Sequence, residues 1–389
     1  MSSADTWFSN NSDDPKKMLR FRIAFLIFLT IFSAILALGH WFVYASIAAL
    51  RIVEGEGALT FTAWALVLLP ATFILTSFLG QKYNNFPLRL AYRVSAFSLG
   101  VVTYLGLASF VSWVLLLLLS PGVASATLVL LMRLLYLAAL LASAYGLWNA
   151  LRPVVREVTL KLPRLPAAWA NKTAVLFADT HLGHVLGKKF MEKVVALVNE
   201  QKPDVVFIAG DIFDGPKIDF SDAASPLRDL RAPWGAYFAF GDHDEFVKRT
   251  LVVDALSKTN LNILEDRVAE VEGVQILGLN YRFNQKPQEF LELIESIKYD
   301  RVKPTILIFH APVNVPEVAK SQIDLMLSGH AHLGQFWPVN YITRAIYGPY
   351  HYGLNQTGNL TIYTTNGVGV WGPLMRVGNR PEIVKIKFQ

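Results

Sequence analysis

Four apolar stretches in the first 150 residues constrain the chain more than any other feature. They run at about Ile23–Leu50, Ala58–Gly80, Ser95–Leu119 and Val123–Trp148. Each reaches the roughly 20 residues that a helix needs to cross the hydrocarbon of a bilayer. The last two form a hairpin through Ser120-Pro121-Gly122. Residues 23–150 therefore read as an all-α transmembrane domain of four helices. The first stretch is too long and uninterrupted for a cleaved signal peptide and lacks a small-residue cleavage site, and no twin-arginine pair precedes it.

Loop charges set the orientation. Lys16, Lys17, Arg20 and Arg22 precede the first span, Lys82, Arg89 and Arg93 lie between the second and third, and Arg152, Arg156, Lys161 and Arg164 follow the fourth. Of the two remaining loops, one carries Arg51 with Glu54 and Glu56 beside it, and the other carries no charge. The expectation is a multi-pass protein of the inner, cytoplasmic membrane, with segment 1–22 and everything after the fourth span on the cytoplasmic face. Arg133 stands inside the fourth span. An intramembrane charge is a functional candidate by default, here for a lipid phosphate; the competing reading is an arginine that snorkels or pairs with backbone carbonyls.

Charge is divided unevenly. Residues 1–169 carry 13 Lys and Arg against 6 Asp and Glu, while residues 170–389 carry 23 against 24. The basic pI of about 9.3 thus belongs to the apolar part. No basic stripe with interleaved aromatics occurs in the polar part, which argues against a nucleic-acid partner. The chain has no cysteine, so disulfides and thiolate metal sites are excluded.

A Pro-containing linker is expected at 151–170, followed by one domain at 171–389. Short apolar runs bounded by turn residues alternate there with helical patterns. The runs are AVLFAD (174–179), DVVFIAG (204–210), GAYFAFG (235–241), VQILGL (274–279), TILIFH (305–310), IDLMLSG (323–329), LTIYTT (360–365) and EIVKIKF (382–388). KKFMEKVVALVNEQ (188–201) and KPQEFLELIESIKY (286–299) place their apolar residues on one helical face. Strands alternating with helices predict an α/β or α+β sandwich.

Chemistry gathers where those runs end. The first ends in Asp179-Thr180-His181, the second in Gly210-Asp211, and the third in Gly241-Asp242-His243-Asp244. The fifth ends in His310, and the sixth in Gly329-His330-Ala331-His332. Five of the eight histidines thus stand at strand ends beside carboxylates. Polar groups so placed are costly to bury without a shared purpose. Imidazole and carboxylate ligands without thiolate suit Mn, Fe or Zn.

The blocks FADTHLGH, VFIAGDIFDG, FGDHDEF, ILIFHAP and LSGHAHLGQFWP resemble, in order, the motifs of the calcineurin-like metallophosphoesterases. They are most similar to the bacterial membrane-anchored branch, in which transmembrane helices precede the catalytic domain. The tail NGVGVWGPLMRVGNRPEIVKI also resembles that branch. The resemblance covers about 149–389 and implies a four-layer αββα sandwich with a dinuclear centre. It implies that Asp179, His181, Asp211 and His332 hold one metal. Asp211 would bridge to a second, held also by Asp242, His310 and His330. His243 would stabilise or protonate the leaving oxygen. Two divalent ions are implied, manganese first, with iron or zinc as the other fits.

Two positions depart from the family pattern. Asp242 stands in place of the usual asparagine: either this removes one positive charge from the centre and favours a singly charged diester over a dianionic monoester, or it is a neutral exchange, since either side chain offers an oxygen. Leu333 replaces a glycine after the last ligand, which would narrow or grease the site. Arg376 is a candidate for binding a substrate phosphate, and His184 for lining the site. Trp337 and Trp371 read as core or rim packing.

The resemblance implies a membrane-bound phosphoesterase acting on a phosphodiester or pyrophosphate. Four spans exceed what an anchor needs, which points to membrane lipids as partners and to a lipid-linked substrate of the UDP-diacylglucosamine type, a reaction with precedent in the superfamily. One rival is a broad phosphoesterase for soluble nucleotides or phosphoproteins with the helices as tether. A rival of another class is a non-catalytic membrane metal sensor or scaffold. The sequence does not fix the oligomeric state.

Overall fold

The computed structural model describes residues 15–215, 217–282 and 286–389. Of the expected N-terminal segment 1–22, residues 1–14 lie outside the described residues. The chain divides into two compact units, 1–145 and 146–389.

The first unit is built from α1 (Pro15–Ala49), α2 (Glu56–Leu79), α3 (Phe86–Leu119) and α4 (Ser125–Ala150). All four are long and apolar enough to cross a membrane. Their burial is inverted relative to a water-soluble bundle. Large apolar side chains such as Phe61, Val67 and Leu117 face outward, whereas Ser95, Ser98, Ser109, Ser112 and Ser143 are buried. Small and hydroxyl residues let helices approach closely and bond across the contact where lipid offers no partner. Ser109 Oγ lies 2.6 Å from the Tyr136 hydroxyl, and Trp113 Nε1 donates to Ser46 Oγ at 3.0 Å. At the start of α3, Asn85 accepts from Leu88 N at 3.0 Å, which caps a helix opened by Pro87.

The second unit contains two six-stranded sheets. Strands β1 (Val154–Leu160), β2 (Thr173–Phe177), β3 (Val205–Ile208), β4 (Ala236–Phe238) and β5 (Leu261–Ile263) belong to one. Strands β6 (Arg267–Val271), β7 (Val274–Leu279), β8 (Thr305–Phe309), β9 (Leu325–Ser328), β10 (Gly353–Thr357) and β11 (Leu360–Thr364) form the other, and β12 (Glu382–Phe388) returns to the first. The orders are β1-β12-β2-β3-β4-β5 and β10-β11-β9-β8-β7-β6. All eight runs expected as strands are strands.

Alternation sorts their side chains into layers. Leu176, Phe207, Ile276, Ile306, Leu325 and Tyr363 share one core with residues of both sheets. Leu277, Leu307, Phe309 and Met326 point the other way, onto Phe290 and Ile294 of the Pro287–Ser296 helix and onto Val315 and Val318. The Lys188–Glu200 helix, which carries the chain from β2 to its parallel neighbour β3, buries Phe190, Met191, Val194, Val195 and Val198. The result is the expected mixed α/β domain of two sheets with helices packed outside.

The stretch expected as a linker differs. Residues 154–160 are a strand, paired in parallel with β12 from Val154↔Glu382 to Leu160↔Phe388. Pro153 and Pro163 read as loop signals, but they flank the strand and leave its N–H groups intact. Trp169 is also structural. Fully buried, it donates from Nε1 to Val271 O at 3.3 Å.

Candidate metal centre

Within each sheet the strands that bear the site run parallel, so their carboxyl ends share an edge. Asp179 and His181 follow β2, Asp211 follows β3, and Asp242 and His243 follow β4; His310 follows β8, and His330 and His332 follow β9. Ligands in open α/β sheets bind outside such ends. The loops are tied to one another by backbone bonds, Asp179 N to Gly210 O at 3.0 Å, His181 N to Asp211 O at 3.1 Å and Gly329 N to His310 O at 2.8 Å.

Five of the seven residues expected as ligands have left-handed backbones: Asp179 (φ 57°), His181 (47°), Asp211 (57°), His330 (68°) and His332 (48°). Such conformations are unfavourable for non-glycine residues and persist where surrounding structure imposes them, commonly at functional sites. Close packing explains two glycines. A Cβ at Gly241 would stand 2.0 Å from Asp211 Oδ1, and one at Gly329 would stand 2.5 Å from Asp179 Oδ2. Leu333, where the family has glycine, is also left-handed (φ 49°), so the glycine suits the backbone there and the leucine keeps the turn at some strain.

The side chains meet in groups. Asp211, Asp242, His310 and His330 form one, Asp179, His181 and His332 another, and Asp211 also lies beside His181 and His243. His310 Nε2 is 3.1 Å from Asp211 Oδ2 and 3.0 Å from Asp242 Oδ1, and His330 Nδ1 is 2.9 Å from Asp242 Oδ1. His332 Nε2 is 3.4 Å from Asp179 Oδ1 and 3.0 Å from His181 Nε2. His310 Nδ1 lies 2.6 Å from the Ala209 carbonyl, which can only accept, so that nitrogen carries a proton and Nε2 faces the carboxylates.

Asp242 Oδ1 is buried without a hydrogen-bond partner although two ring nitrogens stand within 3.0 Å. Oxygen and nitrogen atoms converging without a bonding geometry are what a cation would reconcile, and the donor set suits divalent ions of the Mn, Fe or Zn kind. The residues therefore fit two such ions, with Asp211 reaching both groups.

Charge supports this. Burial alone would raise the Asp179 carboxyl, but His332, His310 and His181 hold it far below the usual range. Burial likewise opposes, and His310 and His330 outweigh it, in holding Asp242 down. His332 is pushed down to about 4 by burial, with His181 and Arg376 adding to it. His243 goes the other way: burial would lower it, yet Asp214, Asp211 and Asp242 push it up to about 9.

Asp214 and Asp244 are the residues that sequence reasoning missed. Asp214 Oδ1 stands 3.3 Å from His181 Nδ1 and 3.4 Å from His243 Nδ1, so one carboxylate faces both rings, and His181 Nε2 is left toward Asp211 and His332. Asp244 is fully buried and accepts from Asp211 N (2.7 Å), Phe213 N (3.1 Å) and Gly241 N (3.1 Å), which staples the β3 and β4 loops together. The signal was present: each is the second acid of a quoted block, GDIFD and GDHD.

Two expected substrate contacts, Arg376 and Arg133, are corrected. Arg376 is fully buried, and its guanidinium donates to the carbonyls of Asn366, Gly367 and Gly369 and to Asn379 Oδ1, with His332 Nδ1 at 3.2 Å. It braces the ligand loop from behind and has no surface for a substrate phosphate. Arg133 donates to Arg51 O at 3.0 Å and pairs with Glu54, so carbonyl and carboxylate take the place assigned to a lipid phosphate. His184 is buried with Nε2 3.4 Å from Lys217 O and joins none of the ligand groups. Trp337 and Trp371 are half-exposed, and Trp371 lies edge-on to His243.

Comparison with known proteins agrees with the geometry. Residues 173–334 match the calcineurin-like phosphoesterase family. An uncharacterized metallophosphoesterase of Campylobacter jejuni is 33% identical over 246 residues, 62% of this chain and 65% of that one. One from Helicobacter pylori strain 26695 is 30% identical over 258 residues, 65% of this chain and 69% of that one. A transmembrane protein with metallophosphoesterase domain from Bos taurus is 32% identical over 270 residues, 64% of this chain and 60% of that one. The chain thus spans somewhat under two thirds of the Campylobacter and Bos taurus proteins. Four membrane-length helices and relatives named for transmembrane segments associate the chain with a membrane. The chain belongs to the calcineurin-like phosphoesterases.

Proposed function

We propose that the chain hydrolyses a phosphodiester or pyrophosphate bond in a lipid-linked substrate, of the UDP-diacylglucosamine type, at the cytoplasmic face of the inner membrane. The observation that carries the chemistry is the meeting of two ligand groups at Asp211 with His243 beside them. Asp179, His181, His332 and Asp211 would hold one divalent ion, and Asp211, Asp242, His310 and His330 the other, with manganese first. Ions held there would supply electrophilic stabilisation of the phosphoryl oxygens and activation of water.

The remaining work falls to the chain. Asp214, Asp211 and Asp242 raise the affinity of the His243 ring for a proton, and the side chain keeps 20% of its surface exposed, so it is placed to donate a proton to the departing oxygen. Asp214 holds its Nδ1 side. Asp242 lowers the positive charge that a dianionic monoester would need, which favours a singly charged diester.

A second reading takes soluble nucleotides or phosphoproteins as substrates, with the helices as tether. The engagement of Arg133 by Arg51 and Glu54 supports it, because that guanidinium finds its partners within the protein. Full-length protein in mixed micelles with manganese separates the two. The lipid reading expects release of the nucleoside monophosphate from UDP-diacylglucosamine with kcat/KM well above that for a soluble nucleotide diester. Equal or lower efficiency on the lipid leaves the tether.

A further inference from the structure

The helix Asn340–Tyr347 displays its apolar side outward. Tyr341, Ile342 and Ile346 are 61%, 58% and 65% exposed, and Trp337, just before the helix, is 50% exposed. Residues 341, 342, 345 and 346 fall on one face at helical spacing, and Arg344, also exposed, stands on the flank. The opposite side faces the domain, where the half-buried Tyr347 sets its ring 6.0 Å from that of His330. Phe246 and Trp371, 75% and 57% exposed, lie edge-on to His243 at 6.2 and 6.0 Å. Aromatic side chains thus stand beside His243 and His330, and the apolar surface continues along this helix.

What covers that face is indicated by its neighbour. Trp337 N donates to Val377 O at 2.8 Å. Val377 and Met375 pack over Gly146, where a Cβ would stand 2.6 Å from Val377 Cγ2 and 2.4 Å from Met375 Cγ. Arg376 N donates to Gly146 O at 2.9 Å. Gly146 opens the last turn of α4, a helix of membrane-spanning length whose end belongs to this same unit. Two residues on, the Arg152 guanidinium lies over the Trp148 ring at 4.3 Å. An aromatic residue with an adjacent cation marks the level of the membrane–water interface. Trp337 is therefore one backbone segment away from the end of the membrane-length helix α4.

We infer that Trp337 and the Tyr341–Ile342–Ile346 face lie in the interfacial layer of the membrane that α4 leaves, with Arg344 directed to lipid phosphates. An apolar face flanked by a cation is the pattern of helices that lie in the plane of the interface. This docking brings the rim of the metal centre, through Tyr347 and His330, to headgroup level. It deepens the lipid reading of the site but stands on separate observations, and it holds for a soluble substrate as well.

The absence of cysteine gives a clean background for the test. Ile342→Cys, Ile346→Cys and, as an aqueous reference, Val302→Cys (85% exposed) are each spin-labelled in the full-length protein in liposomes of phosphatidylethanolamine and phosphatidylglycerol. Collisional accessibility to oxygen and to an aqueous nickel complex is then read. Labels at 342 and 346 are expected to meet oxygen several-fold more readily than nickel, with the reverse at 302. Nickel accessibility at 342 equal to that at 302 overturns the inference. Shielding from both reagents also overturns it, since it means a protein partner or a second copy covers the face. No activity is read, so a wrong substrate assignment leaves the result unaffected.

Discussion

Asp179 and His181 are buried on all sides, and His332 nearly so, whereas Asp242 and His330 of the other group keep 16% and 22% of their side chains exposed. The enclosed group is braced from behind: Asp214 faces His181, and Arg376 contacts His332 while tying down the 366–369 loop. The open group is braced chiefly by the Ala209 carbonyl on His310 and by Asp244 under Asp211. The contrast assigns different tasks to the two halves. Enclosure and support suit an ion held for structure and charge, while exposure suits an ion that meets substrate.

Breaking the element common to both halves should have the largest effect. Asp211→Asn is expected to abolish turnover and to lower metal content in both groups, as read by elemental analysis beside activity. Next comes His243→Ala, which should reduce kcat on the order of 10²–10⁴-fold, typical of a lost general acid, with metal content unchanged. Metal loss in that variant would move His243 from proton donor to ligand.

Smaller changes sharpen the contrast. Arg376→Lys keeps a charge but loses the planar fork that spans several carbonyls. Metal affinity of the enclosed group should fall roughly 10–100-fold, the scale of lost supporting contacts, while the open group keeps its ion. Competition titration with a chelator would show one weakened site; two equally weakened sites would erase the distinction. The smallest effect is expected of Asp242→Asn, which restores the family's residue. It should loosen the open ion and shift the ratio of monoester to diester hydrolysis upward by a few-fold, measured with matched nitrophenyl substrates.

The fold was legible where periodicity and burial agree. Strands such as VQILGL and TILIF are apolar on both faces because each lies between two layers, and their ends carried the ligands in readable blocks. Legibility failed where partners are distant. β1 resembles a linker until β12, more than 200 residues later, supplies its ladder. Helix Asn340–Tyr347 escaped because its apolar face points outward. At the centre, residue types and spacing pointed to the ligands, but the roles of Arg376 and Arg133 depended on which carbonyls surround them. A guanidinium before a glycine-rich tail reads equally as a phosphate clamp or a loop brace. Only the contacts to Asn366, Gly367 and Gly369 decide.

The central claim is a two-metal centre sharing Asp211, and metal stoichiometry tests it most directly. Full-length protein, stripped with chelator and re-equilibrated with manganese, is analysed for bound metal per chain together with its His332→Ala and Asp211→Asn variants. The account expects two ions in the parent, one in His332→Ala with the open group still filled, and fewer than one in Asp211→Asn. A parent that saturates at a single ion, or an Asp211→Asn variant that retains two, would contradict it.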